Sequence, residues 1–133
     1  QLTTKSAEGK REVFLRTATV MIEDLNSMAL DLDRLMESDV PDDLLKRYQK
    51  GDRSIFARRL MRQRDRFTRG EIEQRYERDD KFRQQATRYM SQFEALLNQA
   101  NESDPDQVLS AAFLTADVGK LYLLLSRSLG RQQ

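Results

Sequence analysis

The residues best suited to chemistry are the arginines that crowd one short stretch of the chain. "RSIFARRLMRQRDRFTR", residues 53–69, contains seven arginines and one aspartate, whereas the whole chain of 133 residues has a formal charge of only +1. Guanidinium groups bind phosphate and carboxylate oxygens through paired hydrogen bonds, so this block predicts a surface for nucleic acid, anionic lipid or an acidic partner protein. The candidate anion- or partner-binding residues are Arg53, Arg58, Arg59, Arg62, Arg64, Arg66 and Arg69.

The uneven distribution of charge offers a second interpretation of this block. Residues 1–43 carry a net charge of −5, residues 46–69 of +8, residues 70–106 of −4 and the rest of +2. We favour internal neutralisation, because oppositely charged helical faces commonly pair and a nucleic-acid-binding domain normally has a strongly basic total charge. The expected pairs link Arg58, Arg62 and Arg69 to acids of the first helix, and Arg75 and Arg78 to Glu71, Glu73 and Glu77.

Two aromatic side chains lie inside the basic block. Phe56 shares an apolar stripe with Leu60 and is expected in the core. Phe67 leaves two alternatives open: it is an exposed platform on which bases stack, or it packs at the start of the following helix. No RNP, zinc-finger or helix-turn-helix signature accompanies the two residues, which weakens the nucleic-acid hypothesis.

The chain has no histidine and no cysteine, so it lacks the commonest general base and the commonest transition-metal ligands. Its neighbouring carboxylates, such as Asp31 with Asp33 and Asp42 with Asp43, are expected to be solvated. Asp117, the one acid in "FLTADVGKLYLLL", is either a buried group paired with an arginine of the basic helices, or it faces water or caps a second helical segment. We therefore predict no enzymatic activity, no catalytic residue, no cofactor and no bound metal.

Apolar residues spaced three and four apart predict that the first half of the chain is helical. The first helix is expected over residues 4–37, with a heptad repeat of apolar positions. Two short helices follow, one over residues 41–50 with Gly51 as its C-terminal cap, and one opened by Asp52 or Ser54. The heptad positions of the first helix are Phe14, Ala18, Met21, Leu25, Met28, Leu32 and Leu35.

The second half of the chain predicts two further long helices. One is expected over residues 68–101, opened by the capping-box pattern "TRGE", and its apolar phase slips across residues 78–81, where it bends or breaks. The other is closed by Gly130 and, being the most apolar, is expected at the centre of the bundle. Gly119 inside it has two explanations: close approach of a neighbouring helix, or a break after Asp117.

These patterns predict one all-α domain over residues 1–133, an antiparallel helical bundle of three long helices plus one or two short helices. The longest apolar run, "LYLLL", is far shorter than the roughly 20 residues of a membrane span, so none is expected. The chain starts at Gln1 without a leader pattern, and we expect it to be a C-terminal fragment of a longer coiled-coil protein. The lack of cysteine suits a reducing compartment, and equally a periplasmic domain without crosslinks.

Three segments resemble the C-terminal helical domain of very large bacterial coiled-coil proteins of the apolipoprotein-like or kinesin-like kind: "VFLRTATVMIEDLNSMALDLDRLM", "KGDRSIFARRL" and "SAAFLTADVGKLYLLLSRSLGR". The resemblance implies a non-enzymatic terminal module of a scaffold, in the cytoplasm, at the cell pole or the inner face of the envelope, and it transfers no site residues. We expect a module that self-associates as a homo-oligomer through an upstream coiled coil or docks a protein partner. The alternative is polyanion binding, to nucleic acid or anionic lipid, through residues 53–69.

Overall fold

The computed structural model describes residues 2–36, 40–62, 69–103 and 108–130. This part of the chain is 90% helix and contains no strand, so the predicted all-α class is confirmed. The helices are α1 (Leu2–Met36), α2 (Asp42–Gln49), α3 (Ile55–Arg62), α4 (Arg69–Arg78), α5 (Asp80–Ser103), α6 (Val108–Thr115) and α7 (Asp117–Ser128).

The first three helices follow the sequence prediction closely. In α1 the heptad positions Phe14, Ala18, Leu25 and Leu32 are buried, because residues at this spacing share one face of a helix. Gly51 has a φ of +128° just after α2, a conformation that favours glycine, and it lets the chain turn from α2 into α3.

The predicted helix over residues 68–101 breaks where its apolar phase slips. α4 ends at Arg78 and α5 starts at Asp80. Between them, the Asp79 carboxylate accepts hydrogen bonds from the backbone N–H groups of Lys81, at 3.0 Å, and Phe82, at 3.2 Å. Asp79 therefore caps the new helix, which explains why "RDDK" interrupts the pattern. The threonine of the predicted capping box at the start of α4 lies outside the described residues.

The prediction of a third long helix near the C-terminus is wrong. Two helices of 8 and 12 residues, α6 and α7, stand in its place, bent by 77° at Ala116, just before Asp117. A Cβ atom on Gly119 would collide with the carbonyl oxygen of Phe113 and lie 2.8 Å from backbone atoms of Leu114. The close-approach explanation of Gly119 is confirmed, since the glycine lets α7 approach the backbone of the preceding helix. The chain also breaks, but at Ala116 rather than after Asp117 as predicted.

The two longest helices, α1 and α5, run in opposite directions. Met36 at the end of α1 shares a groove with Asp79, which precedes α5, and Asp24 further back in α1 shares another with Gln92 of α5. α7 contacts α1, α3, α4, α5 and α6. The largest side chains that this core buries completely are Tyr89, Phe56, Phe82, Phe93, Leu25, Leu32, Leu60, Ile72, Met90, Leu96 and Leu121.

The core position predicted for Phe56 is confirmed, since its side chain is fully buried; Phe67 lies outside the described residues. Within the part of the chain that the structure covers, no single helix has both the length and the apolar character to cross a membrane. Among the described helices, the bent pair of α6 and α7 together has the length and composition of a membrane span.

Candidate functional site

The seven predicted arginines fall into three groups. Arg53, Arg58 and Arg59 make ion pairs within the fold. Arg62, the last residue of α3, is exposed and makes no ion pair with any residue that the structure describes. The remaining three predictions lie outside the description, since Arg64 and Arg66 fall in residues 63–68 and only the backbone of Arg69 is described.

Arg53 holds the loop between α2 and α3 against α1. Its Nε donates to both carboxylate oxygens of Glu23, at 3.0 and 3.2 Å, and its Nη1 donates to the backbone carbonyl of Tyr48, at 3.0 Å. The guanidinium carbon also lies 3.9 Å from the centre of the Tyr48 ring, a cation–π contact. Because Arg53 and Glu23 are both about two-fifths exposed, their pair contributes at most about 1 kcal/mol to stability.

Arg58 connects α3 to the start of α7. Its Nη2 donates to both oxygens of Asp52, at 2.6 and 2.7 Å, and its Nη1 donates to the Ser54 hydroxyl, at 2.8 Å, and to Asp117, at 3.4 Å. The Ser54 hydroxyl in turn donates to Asp117, at 3.2 Å. Hydrogen bonding to Arg58 holds the pKa of Asp52 below its usual 3.8, and the same bond raises the pKa of Arg58.

Both alternatives for Asp117 are partly right. The carboxylate pairs with an arginine of the basic helices, Arg58, and it also occupies the first residue of α7, a second helical segment. Negative charge is favourable in the first turn of a helix, so the carboxylate stabilises α7 as well as the contact with α3. Its side chain is 31% exposed, so the predicted burial is only partial.

Arg59 pairs with an acid that we expected on the surface. Its Nη1 lies 3.0 Å from the Asp33 carboxylate, which is fully buried, while Arg59 itself is 17% exposed. The expectation that Asp33 is solvated is therefore wrong. One signal was present in the sequence: Asp33 follows Ala29 by four residues and precedes Met36 by three, and both are buried.

Internal neutralisation is seen for three of the seven arginines, with partners that differ from those predicted. Arg58 pairs with Asp52 and Asp117 rather than with acids of α1, whereas Arg53 and Arg59 pair with the α1 acids Glu23 and Asp33. The pair expected between Arg62 and α1 is not formed with any described acid.

Four arginines converge on a cleft of about 240 Å³ between α2 and α3, which we call the arginine cleft. Three of them share one face of α3 with Ile55, because the four residues follow an i, i+3, i+4, i+7 spacing. The fourth, Arg47, is 60% exposed and was not among the predicted residues, because it precedes the dense block. The sequence does contain one indication of its position: Arg47 lies three residues after Leu44, so the two side chains share one face of α2. The cleft is lined by Leu44, Arg47, Ile55, Arg58, Arg59 and Arg62.

Two grooves are larger, at about 500 and 490 Å³, but neither concentrates charge of one sign. The first combines Glu71 and Asp79 with two arginines, and the second combines Asp24 and Asp31 with one. Of these three cavities in the described part of the chain, the arginine cleft is the one lined only by arginine and apolar side chains, so it has a defined electrostatic preference.

A second surface is apolar and lies on α1. Val13, Leu15 and Val20 are 58%, 43% and 62% exposed, and within the described residues the only other large exposed apolar side chain is Val108 of α6. Val13 and Val20 are seven residues apart, so they share one side of α1, and Leu15 lies on the opposite flank of its buried stripe. We call Val13 and Val20 the α1 apolar surface.

Comparison with known proteins does not assign the chain to a family. No family model matches it, no curated protein is significantly similar to it, and no solved structure matches it.

Proposed function

We propose that the chain is a non-enzymatic interaction module of a larger coiled-coil scaffold, and that it self-associates through the N-terminal half of α1. The observation that carries this proposal is the α1 apolar surface, where Val13 and Val20 stay exposed on one side of the helix. Single exposed apolar residues are common on soluble proteins, whereas a group of them on one element is typical of an interaction surface.

The shape of α1 supports a second copy of the chain as the occupant of this surface. The helix has 35 residues, about 50 Å, and the first of its described side chains to be buried is Phe14. The first turns of α1 are therefore helical, although they precede the first residue of the helix that is buried in the described core. Isolated helical turns are marginal in water, and pairing with an identical helix would stabilise them. The seven-residue interval between Val13 and Val20 suits such a coiled-coil contact.

The resemblance to bacterial scaffold proteins agrees with this proposal, since a terminal module on a coiled coil would be brought next to its own copies. On this proposal the module acts in the cytoplasm, at the cell pole or the inner face of the envelope. Its role would be to hold copies of the scaffold together, and it would need neither a cofactor nor a substrate.

Light scattering coupled to size-exclusion chromatography tests this proposal. We expect the wild-type chain to increase in mass with concentration and the double variant Val13→Glu with Val20→Glu to remain monomeric, because two buried carboxylates would oppose the contact. Val108→Glu is the matched control, since Val108 is 63% exposed but lies on α6. A wild-type chain that stays monomeric, or a control that dissociates equally, would contradict the proposal.

Polyanion binding through residues 53–69 has less support as the principal function. Arg53, Arg58 and Arg59 already have carboxylate partners, which a nucleic acid or an anionic lipid surface would have to displace. Such binding would weaken linearly with salt concentration on logarithmic axes, whereas self-association through apolar side chains would respond little to salt.

A further inference from the structure

We infer that the arginine cleft between α2 and α3 binds an acidic segment of a partner protein, with Arg47 and Arg62 gripping its oxyanions and Leu44 and Ile55 receiving an apolar side chain. The oxyanions are carboxylates or the phosphate of a phosphorylated side chain, which guanidinium recognises in the same way. The site lies on α2 and α3 and does not depend on self-association through α1.

The cleft combines fixed and adjustable arginines. Arg58 is held by Asp52, Ser54 and Asp117, so its guanidinium is oriented before any ligand arrives. Arg59 is similarly held by the buried carboxylate of Asp33. Groups that are ordered in advance lose little conformational entropy on binding. Arg58 and Arg59 therefore form a side of the cleft whose guanidinium groups are already in place.

Arg47 and Arg62 are the arginines that can engage a ligand directly. Arg47 is 60% exposed and lies 3.2 Å from Asp52, a carboxylate that it shares with Arg58. An exposed ion pair of this kind is worth at most about 1 kcal/mol, so an incoming carboxylate can replace it at small cost. Arg62 is exposed and makes no ion pair with a described residue, so its charge is not offset by any of those acids.

Two arginines of the cleft can bind an anion without loss of the pairs that hold the other two. Arg58 pairs with Asp52 and Asp117, and Arg59 pairs with Asp33. Arg62 makes no ion pair with a described residue, and arginine keeps its charge at every physiological pH. A carboxylate bound between Arg47 and Arg62 would therefore leave the described pairs of Arg58 and Arg59 unchanged.

The surroundings of the cleft favour a peptide over a nucleic acid. Leu44 and the nearly buried Ile55 form an apolar part of its lining, which suits an aliphatic side chain rather than a sugar-phosphate backbone.

Fluorescence anisotropy with a dye-labelled peptide of six glutamates around two leucines tests the inference. We expect saturable binding that weakens with salt, and Arg47→Glu and Arg62→Glu should each weaken it about tenfold. Arg127→Glu is the matched control: Arg127 is an exposed arginine in the last turn of α7, and this variant should bind within about twofold of wild type. Circular dichroism of each variant confirms that it is folded.

A gain of affinity provides an independent measurement that misfolding cannot mimic. Asp52→Asn removes the carboxylate that Arg47 and Arg58 share, so the same peptide should bind more tightly, by about fivefold to tenfold. Asp24→Asn makes the same change of charge in the groove between α1 and α5 and should leave the affinity unchanged. Equal gains in both variants would mean that only the net charge matters, and the inference would be overturned.

Two further probes identify the source of the oxyanion and the class of ligand. A peptide with phosphoserine in place of two glutamates should bind at least as well as the glutamate peptide, because a phosphate offers more acceptor oxygens to Arg47 and Arg62. Tighter binding of a dye-labelled oligouridine, or no binding of either peptide, overturns the inference. Repeating the titration on the variant with Val13→Glu and Val20→Glu keeps the result separate from self-association.

Discussion

Arg59 of α3 lies 3.0 Å from the carboxylate of Asp33 on α1, and that carboxylate is fully buried. Removing a carboxylate from water is costly, and only a close cation and further hydrogen bonds offset the cost. This relationship fixes the rotation of α3, since the face that carries Arg59 must point toward α1. The same rotation carries Arg58 and Arg62 to the arginine cleft.

Asp33→Ala should destabilise the protein by about 3 kcal/mol, because it deprives the mostly buried guanidinium of Arg59 of the carboxylate it pairs with. Urea unfolding followed by circular dichroism measures the change. Glu23→Ala is the matched control, since it breaks the half-exposed pair with Arg53 and should cost less than about 1 kcal/mol. Similar losses in both variants would show that burial of Asp33 does not set the strength of its pair.

Gly119→Ala should destabilise the protein by about 3 kcal/mol or more, because the added methyl group would collide with the backbone of Phe113 and Leu114. Gly9→Ala makes the same substitution in α1, where the added carbon meets no described atom within 4 Å beyond its chain neighbours and the backbone of α1, and it should stabilise by about 0.5–1 kcal/mol. Thermal unfolding of the two variants gives shifts of opposite sign. A harmless Gly119→Ala would mean that α6 and α7 are not held in this close approach.

Much of the fold was predictable because its causes are local. The heptad repeat of α1 identifies its buried face. The slip in the apolar pattern at residues 78–81 marks the break between α4 and α5, where Asp79 caps α5. The break at Ala116 was not predictable in this way, because apolar residues continue on both sides of it in helical spacing. Asp117 and Gly119 were its local signs, and neither decides between a bend and a continuous helix, which depends on the packing of α7 against α6.

The candidate site was predictable only in its chemistry. The block of arginines indicated guanidinium groups available for anions, but their division into paired and exposed members depends on which helices meet. Asp33 and Asp117 are far from residues 53–69 in the sequence, and both reach them through tertiary packing. Arg47 enters the arginine cleft for the same reason, because the turn at Gly51 folds α2 beside α3.

Tyr89 joins α5 to the start of α7, and its ionisation should lower the stability of the protein at alkaline pH. Its hydroxyl donates a hydrogen bond of 2.6 Å to the carbonyl oxygen of Val118, and its side chain is fully buried. Burial, and to a smaller extent the charge of Asp117, raise the pKa of Tyr89 well above its usual 10.0. Since only the unfolded chain loses this proton easily, the contribution of Tyr89 is complete below pH 10.0 and decreases as the pH rises from there toward its folded-state pKa.

Tyr89→Phe should therefore cost about 1 kcal/mol near neutral pH, the value of the lost hydrogen bond, and less as the pH rises above 10.0. Urea unfolding of the two proteins across this range measures the difference. The wild-type free energy of unfolding should fall more steeply than that of the variant, so the two curves converge. Curves that stay parallel above pH 10.0 would mean that Tyr89 ionises as easily in the folded protein as in the unfolded chain, and that its hydroxyl is not sealed between α5 and α7.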